Sequence, residues 1–277
     1  MKKSFVKTLI KTVIILLLCI LFLTPFIWMI SSSLKGPLEV LGKEFHFFGE
    51  EIHWDNYKVV WTDPDVSMLR SFGNTLWVCV ISITVQLMVA SMAAFAFAKL
   101  DFKGKNFYFL LFLSSMMVPV QVTIIPRFIM FKSIGLYNNL WSIILPFFFS
   151  ASAIFMLRQF YMGLPTALME AAKIDGASNW CIFSRVYLPL TKPAMVSLTV
   201  LGFVSTWNEY LSPLIFITKP DKYLVSQVIR WYMDSGDVTR YDLTMAACTS
   251  VIIPVIVLFI ACQKYFVEGI ATSGVKG

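Results

Sequence analysis

Along this chain apolar residues come in long blocks, and polar residues gather in the gaps between them. Six blocks reach the ~20 residues needed to cross about 30 Å of hydrocarbon: Thr12–Ser33, Asn74–Ala98, Asn106–Ile125, Tyr137–Leu157, Ala194–Ile217 and Leu243–Phe266. Backbone groups cannot stay unpaired in lipid, so runs of this length predict helices. Pro25, Pro119, Pro146, Pro213 and Pro254 fall inside five of the blocks. They predict kinks whose freed carbonyls are satisfied by neighbouring helices. The pattern therefore predicts an all-α, polytopic membrane protein with six transmembrane helices. One domain spans 1–277, with a core at about 72–267, a first span and external loop at 1–71, and a tail at 268–277.

One polar gap has a shape of its own, "EAAKIDGASNWCIFSRVYLPL" from Glu170 to Leu190. Pro165 suits a first helical turn, where its missing N–H costs nothing. A helix through Met169–Lys173 should end at Asp175-Gly176, with Gly in the left-handed C-terminal position. Ser178 should cap a second helix that Pro189 stops. Ile182, Phe183, Val186 and Tyr187 fall on one face of that helix. Two readings stand. The hairpin lies on the headgroups as a plain connector, or it docks a partner. In the second reading Ala171 and Ala172 admit a close backbone, while Glu170 and the glycine turn fix orientation.

Composition and charge orient this picture. The chain is 58% hydrophobic and 14% charged, with mean hydropathy +0.74, against ~45–50% apolar and ~25% charged in soluble domains. Thirteen basic and four acidic residues fall on the side holding both termini, the second-to-third connection and the hairpin; ten basic and eleven acidic residues fall on the other. The basic side should be cytoplasmic, leaving both termini and the hairpin in the cytosol. The net charge of +7 does not imply nucleic acid, because the basic residues sit at span ends. The apolar run of the first block is too long for a signal-peptide core and no A-x-A site follows, so an uncleaved span is expected. None of the five cysteines lies in the segments assigned outside, and none pairs at metal-site spacing, so neither a disulfide framework nor a metal centre is expected. His46 and His53 match no common zinc pattern and read as surface residues. The aromatic residues read as lipid-facing and interfacial belts. A short surface helix and a loop are expected within Thr218–Asp242.

Glu170-Ala171-Ala172, three residues, Gly176, nine more, then Val186-x-Leu188-Pro189 resembles the cytoplasmic coupling loop of ABC-importer permease subunits. "STWNEYLSPLIF" (Ser205–Phe216) and "YFVEGIATSGVKG" (Tyr265–Gly277) are similar to the carbohydrate-uptake branch, in particular the smaller maltose-type permease. The resemblance is clearest from Phe72 to the C-terminus. It implies a type I ABC-importer permease fold in a bacterial cell membrane, with a coupling helix between the fourth and fifth spans. It also implies a heterodimer with a second homologous permease, two copies of a cytosolic ABC ATPase, and an extracellular sugar-binding protein. Carried over by position, Glu170, Ala171, Ala172, Asp175, Gly176 and Ala177 would dock the ATPase, and Leu188-Pro189 would lead back into the fifth span. The tail residues Gly274, Val275, Lys276 and Gly277 would reach the ATPase pair. Thr218–Asp242 corresponds to the external loop that enters the binding protein's sugar cleft in the maltose-type relative.

The chain has no G-x-x-x-x-G-K-[ST] run. It is therefore expected to hold no cofactor and to be no enzyme, with ATP and Mg bound by the partner ATPase. Glu209 is the acid expected inside a span. It lies about 15 residues in, ~22 Å at 1.5 Å per residue, and a carboxylate at mid-bilayer costs ~2.5–3.5 kcal/mol. With Asn208 it could bond the partner permease, line the solute pathway or relay protons. Import of a non-sugar solute is the alternative function. A stand-alone secondary transporter would need ionisable groups in several spans, and an intramembrane enzyme would need paired catalytic groups.

Overall fold

The computed structural model describes residues 2–42, 46–234 and 239–274, with side chains described within 6–263 of those ranges. Among the described residues every regular element is helical. The chain opens with α1 (Lys2–Ser32), which begins ten residues ahead of the expected span because the Lys-rich flank joins the helix. A short α2 (Asp55–Thr62) precedes the 32-residue α3 (Met68–Lys99). Next come α4 (Lys105–Ser115), α5 (Val120–Ser133), α6 (Trp141–Ile144), α7 (Ala151–Gly163), α8 (Ala167–Ile174), α9 (Asn179–Cys181) and α10 (Leu188–Leu190). The chain closes with α11 (Lys192–Trp207), α12 (Leu211–Phe216), α13 (Val225–Asp234) and α14 (Tyr241–Gly274). The surface helix expected within Thr218–Asp242 is α13.

Four segments are long and apolar enough to cross a membrane without a sharp bend: Val6–Ser32, Met68–Lys99, Trp141–Gly163 and Tyr241–Gln263. Two more candidates are bent pairs. α4 and α5 meet at 94°, and Asn179–Leu190 meets α11 at 74°. The third expected span is thus no straight helix, and the count of six is reached only if each bent pair crosses once. The expected fifth span also divides, with α11 ending at Trp207 and α12 starting at Leu211.

Proline chemistry explains most of these divisions. Pro119 caps α5, Pro146 opens a 3-10 turn (Leu145–Phe148), and Pro213 sits in the first turn of α12. In each place the missing N–H falls where no intrahelical bond is required. Pro25 and Pro254 instead stay within continuous helices.

The chain divides into two compact units, Met1–Leu69 with Val228–Ile253 and Arg70–Gln227 with Pro254–Gly277. In the first, the connection after α1 is pinned by polar bonds. Asn56 Nδ2 donates to the carbonyls of Ser33 (3.0 Å) and Lys35 (2.9 Å), and Lys35 Nζ donates to His46 O at 2.6 Å. Tyr232 donates to Asp63 at 2.9 Å; burial, reinforced by that bond and the carboxylate charge, pushes the phenol above its ordinary range.

In the second unit the core gathers Val78 of α3, Ile124 and Phe131 of α5, Ile143 and Ile144 of α6, and Phe216 of α12. Asn138 locks one edge. Its φ of 56° is left-handed, a conformation that asparagine tolerates better than other side-chain-bearing residues. There its Oδ1 accepts from Thr218 N (2.6 Å), Thr218 Oγ1 (3.0 Å) and Lys219 N (3.1 Å). Its carbonyl accepts from Lys222 Nζ at 2.7 Å. These bonds fix the chain that leaves α12.

Candidate functional site

Two features of the second unit carry chemistry, a hairpin and a cleft. In the hairpin, Glu170 lies in the first turn of α8 and Lys173 in the last, the arrangement the helix dipole favours. The first helix ends as its sequence predicts. Gly176 has φ 77°, its N–H donates to Lys173 O at 3.0 Å, and Ala177 N–H donates to Ala172 O at 2.9 Å. Those are the paired bonds of a Schellman close. Ser178 then caps the second helix, its Oγ accepting from Cys181 N at 3.3 Å.

Two expectations for the hairpin need correction. Pro165 lies outside α8, just ahead of its N-cap Thr166. Pro189 does not stop the second helix, which runs on to Leu190. A π-turn over Ile182–Tyr187 accounts for this, with Leu188 N–H reaching back to Phe183 O. The extra residue per turn resets the helical register, so Pro189 becomes a first-turn residue of α10.

The hairpin is anchored by aromatic packing. Ile182, Phe183 and Tyr187 are buried, while Val186 is half-buried. Phe95 of α3 stands 5.3 Å from the Phe183 ring and 5.4 Å from Tyr187, and Tyr161 of α7 stands 6.0 Å from Tyr187. Tyr187 OH donates to Pro165 O at 3.3 Å, tying the second helix to the start of the first. Lys99 Nζ donates to Leu164 O at 2.8 Å and Arg158 Nε to Phe97 O at 3.3 Å, joining the ends of α3 and α7. The opposite face is open. Glu170, Ala171, Asp175 and Gly176 are exposed, Ala172, Ala177 and Leu188 are half-buried, and Pro189 is exposed at the far end. Two large apolar groups stand out beside them, Ile174 at 87% and Trp180 at 64% exposure.

The cleft lies between α5, the 141–148 segment and the break that separates α11 from α12. Its volume is about 550 Å³. α5 contributes Val120, Thr123, Pro126, Arg127 and Met130, one face at helical spacing. Ser205 and Ser212 come from the two sides of the break, and Glu209 from within it. Glu209 therefore sits in non-helical chain instead of inside a span helix. Its Oε1 accepts from Ser212 N at 2.8 Å and its carbonyl from Ser226 Oγ at 2.8 Å. Asn208, by contrast, turns its Nδ2 to Val204 O at 2.8 Å, closing the end of α11. Arg127 was not among the residues expected to matter. The signal was there in "VTIIPRFIM", one cation in an otherwise apolar run beside a proline. The tail residues Val275, Lys276 and Gly277 lie outside the described residues, and Gly274 is the last residue of α14.

Comparison with known proteins bears on both features. A family model described as "Binding-protein-dependent transport system inner membrane component" matches residues 86–272, a span that includes the hairpin and the cleft. The chain is 32% identical over 272 residues to the arabinooligosaccharides transport system permease protein AraQ of Bacillus subtilis, covering 96% of this chain and 95% of that one. It is 34% identical over 229 residues to the sn-glycerol-3-phosphate transport system permease protein UgpE of Salmonella typhi, covering 79% and 80%. A solved chain from a bacterial ABC transporter that imports the acidic polysaccharide alginate shares the fold. Its TM-score is 0.81 at 23% identity, over 96% of this chain and 98% of that one.

Proposed function

The chain belongs to the family of binding-protein-dependent transport system inner membrane components, and from that premise we propose that it is the permease subunit of an ATP-driven importer of carbohydrate. It is a multi-pass membrane protein of that transport family. In this reading it forms half of the translocation pathway, paired with a second homologous permease. Two copies of a cytosolic ATPase, which hold ATP and Mg, bind beneath it, and a sugar-binding protein docks outside, where α13 offers a contact. The excess of basic residues on one side supports placing both termini and the hairpin in the cytosol.

The observation that carries the reading is the hairpin's division into an anchored face and an offered face. Met169, Ile182, Phe183 and Tyr187 are buried, whereas Ile174 and Trp180 stand out beside Glu170 and the Gly176 turn. Exposed apolar groups rimmed by polar residues mark a protein or membrane contact, and the acidic Glu170 and Asp175 beside them favour a protein. An ATPase that grips this face and closes would move the hairpin as one body. The Phe95 and Tyr161 packing would pass that movement into α3 and α7. The tail beyond Gly274 would add a second contact on the same cytosolic side.

The test uses the complete transporter reconstituted with its binding protein. Glu170→Lys reverses charge on the offered face without touching the anchored one. It should leave the chain in the membrane, abolish ATP-driven sugar uptake and spare ATP hydrolysis by the partner. Uptake at the unaltered rate would overturn the coupling role. Deleting Gly274–Gly277 should alter ATPase assembly or rate, and no change would remove the tail from the contact. Uptake of glycerol 3-phosphate but of no oligosaccharide would move the substrate to a non-sugar solute.

A further inference from the structure

The cleft beside the α11–α12 break has the lining of a binding site, although nothing in the hairpin's coupling role requires one. Its volume of about 550 Å³ lies within the ~300–1,000 Å³ of small-molecule sites. A sugar ring presents apolar C–H faces and a rim of hydroxyls. The walls offer partners for both, with Phe147 and Met130 for the faces and Thr123, Ser205, Arg127 and Glu209 for the rim.

Arg127 gives the strongest sign. Its Nε is buried and has no hydrogen-bond partner, and a buried donor left unpaired is costly. Its guanidinium lies 5.9 Å from the Phe216 ring centroid, and Glu209 lines the same cleft. The Glu209 carboxylate spends one lone pair on Ser212 N–H, and a carboxylate offers about four acceptor positions. An unsatisfied donor and an under-used acceptor thus share one cleft. A hydroxyl, which donates and accepts, completes both.

We propose that this cleft contacts the carbohydrate in transit and prefers neutral sugars to anionic ones. The proposal rests on the carbohydrate-permease reading. The preference follows from charge: the lining carries one cation, Arg127, and one anion, Glu209. An anionic sugar that approaches the guanidinium also meets the carboxylate, and like charges brought together are penalised. A neutral sugar meets no such opposition.

The complete transporter in lipid nanodiscs, without its binding protein, is probed by saturation-transfer NMR with arabinotriose and with trigalacturonate. The unaltered protein should show the arabinotriose signal in preference to trigalacturonate. Glu209→Gln keeps the acceptor for Ser212 N–H, so the start of α12 survives. It leaves Arg127 unopposed, and the ratio of the two signals should move toward trigalacturonate by about tenfold. Met130→Trp fills the cleft without touching either charge and should remove most of the arabinotriose signal, which also separates this cleft from any site on the second permease. The proposal fails if the ratio does not respond to Glu209→Gln, or if Met130→Trp leaves the arabinotriose signal intact. A transporter that takes up no sugar in the reconstituted assay overturns the parent reading and this one together. A transporter that imports sugar while the ratio stays fixed overturns this one alone.

Discussion

The hairpin at Thr166–Ser178 and the break at Asn208–Tyr210 are both places where a helix stops, and they close their backbone groups differently. In the hairpin the partners are near in sequence. Lys173 and Ala172 carbonyls take the N–H groups of Gly176 and Ala177, and Ser178 caps Cys181. At the break, local bonds are joined by a distant one, from Ser226 Oγ to the Glu209 carbonyl. The exit of the short α12 is held in the same way, with Gln227 Nε2 on Ile217 O at 2.9 Å and Asn138 taking the N–H groups of Thr218 and Lys219. A turn closed by its own neighbours keeps its shape while it moves, as the proposed coupling role requires. A break closed by distant loops is held in place, as the wall of a cleft must be.

The largest effect tests the hairpin side of this contrast. Gly176 has φ 77°, and a Cβ placed there meets nothing within 4 Å. Gly176→Ala therefore costs only the left-handed strain, ~1–2 kcal/mol, and should keep most ATP-driven uptake. Gly176→Trp adds the same strain plus bulk on the offered face. It should lower uptake by about tenfold or more, the equivalent of at least ~1.4 kcal/mol in the docking contact, with the protein still in the membrane. Equal uptake by the two variants would show that strain alone matters and that nothing docks at the turn.

The same contrast explains what the sequence could reveal. The Gly176 turn and the Ser178 cap each depend on residues within a few positions, so the local pattern announces them. Hydropathy likewise announced α1, α3 and α14, because a continuous apolar run needs no partner to declare it. It did not announce the bend between α4 and α5, where apolar residues continue through Met116–Val118, or the gap at Asn208–Tyr210, where three polar residues are too few to interrupt a long apolar run. Prolines 119 and 213 marked the neighbourhood of those breaks, yet Pro25 and Pro254 look the same in sequence and sit within unbroken helices. The π-turn was hidden too. It accompanies the packing of both Phe183 and Tyr187 on Phe95, about ninety residues away. Arg127 and Glu209 are likewise far apart in the chain, and only the folded α5 brings the first to the cleft of the second.

A smaller effect tests the other side. Asn138 accepts three hydrogen bonds from Thr218 and Lys219, each worth ~0.5–1.5 kcal/mol net. Asn138→Ala should destabilise the protein by ~2–3 kcal/mol, read as a lower unfolding midpoint of the purified chain in detergent. Asn138→Gly loses the same bonds but relieves the φ of 56°, and should recover ~1 kcal/mol of that loss. If both variants unfold at the unaltered midpoint, the exit of α12 is not held from a distance, and the contrast with the hairpin rests on the Ser226–Glu209 bond alone.

The smallest effect asks whether the hairpin's closure is as local as its bonds imply. Ser178→Ala removes the cap on Cys181 N–H and should cost ~1 kcal/mol. Because the second helix is also held by Phe183 and Tyr187, the loss should stay at its first turn. Hydrogen exchange should quicken at Asn179–Cys181 and remain unaltered across the π-turn and α11. Uptake should change little, since the anchored face is intact and the offered face keeps Glu170, Ile174 and Gly176. Faster exchange spreading through Ile182–Tyr187 would mean that the cap and the aromatic anchor unfold together, and the hairpin could then no longer be treated as a rigid body moved from outside.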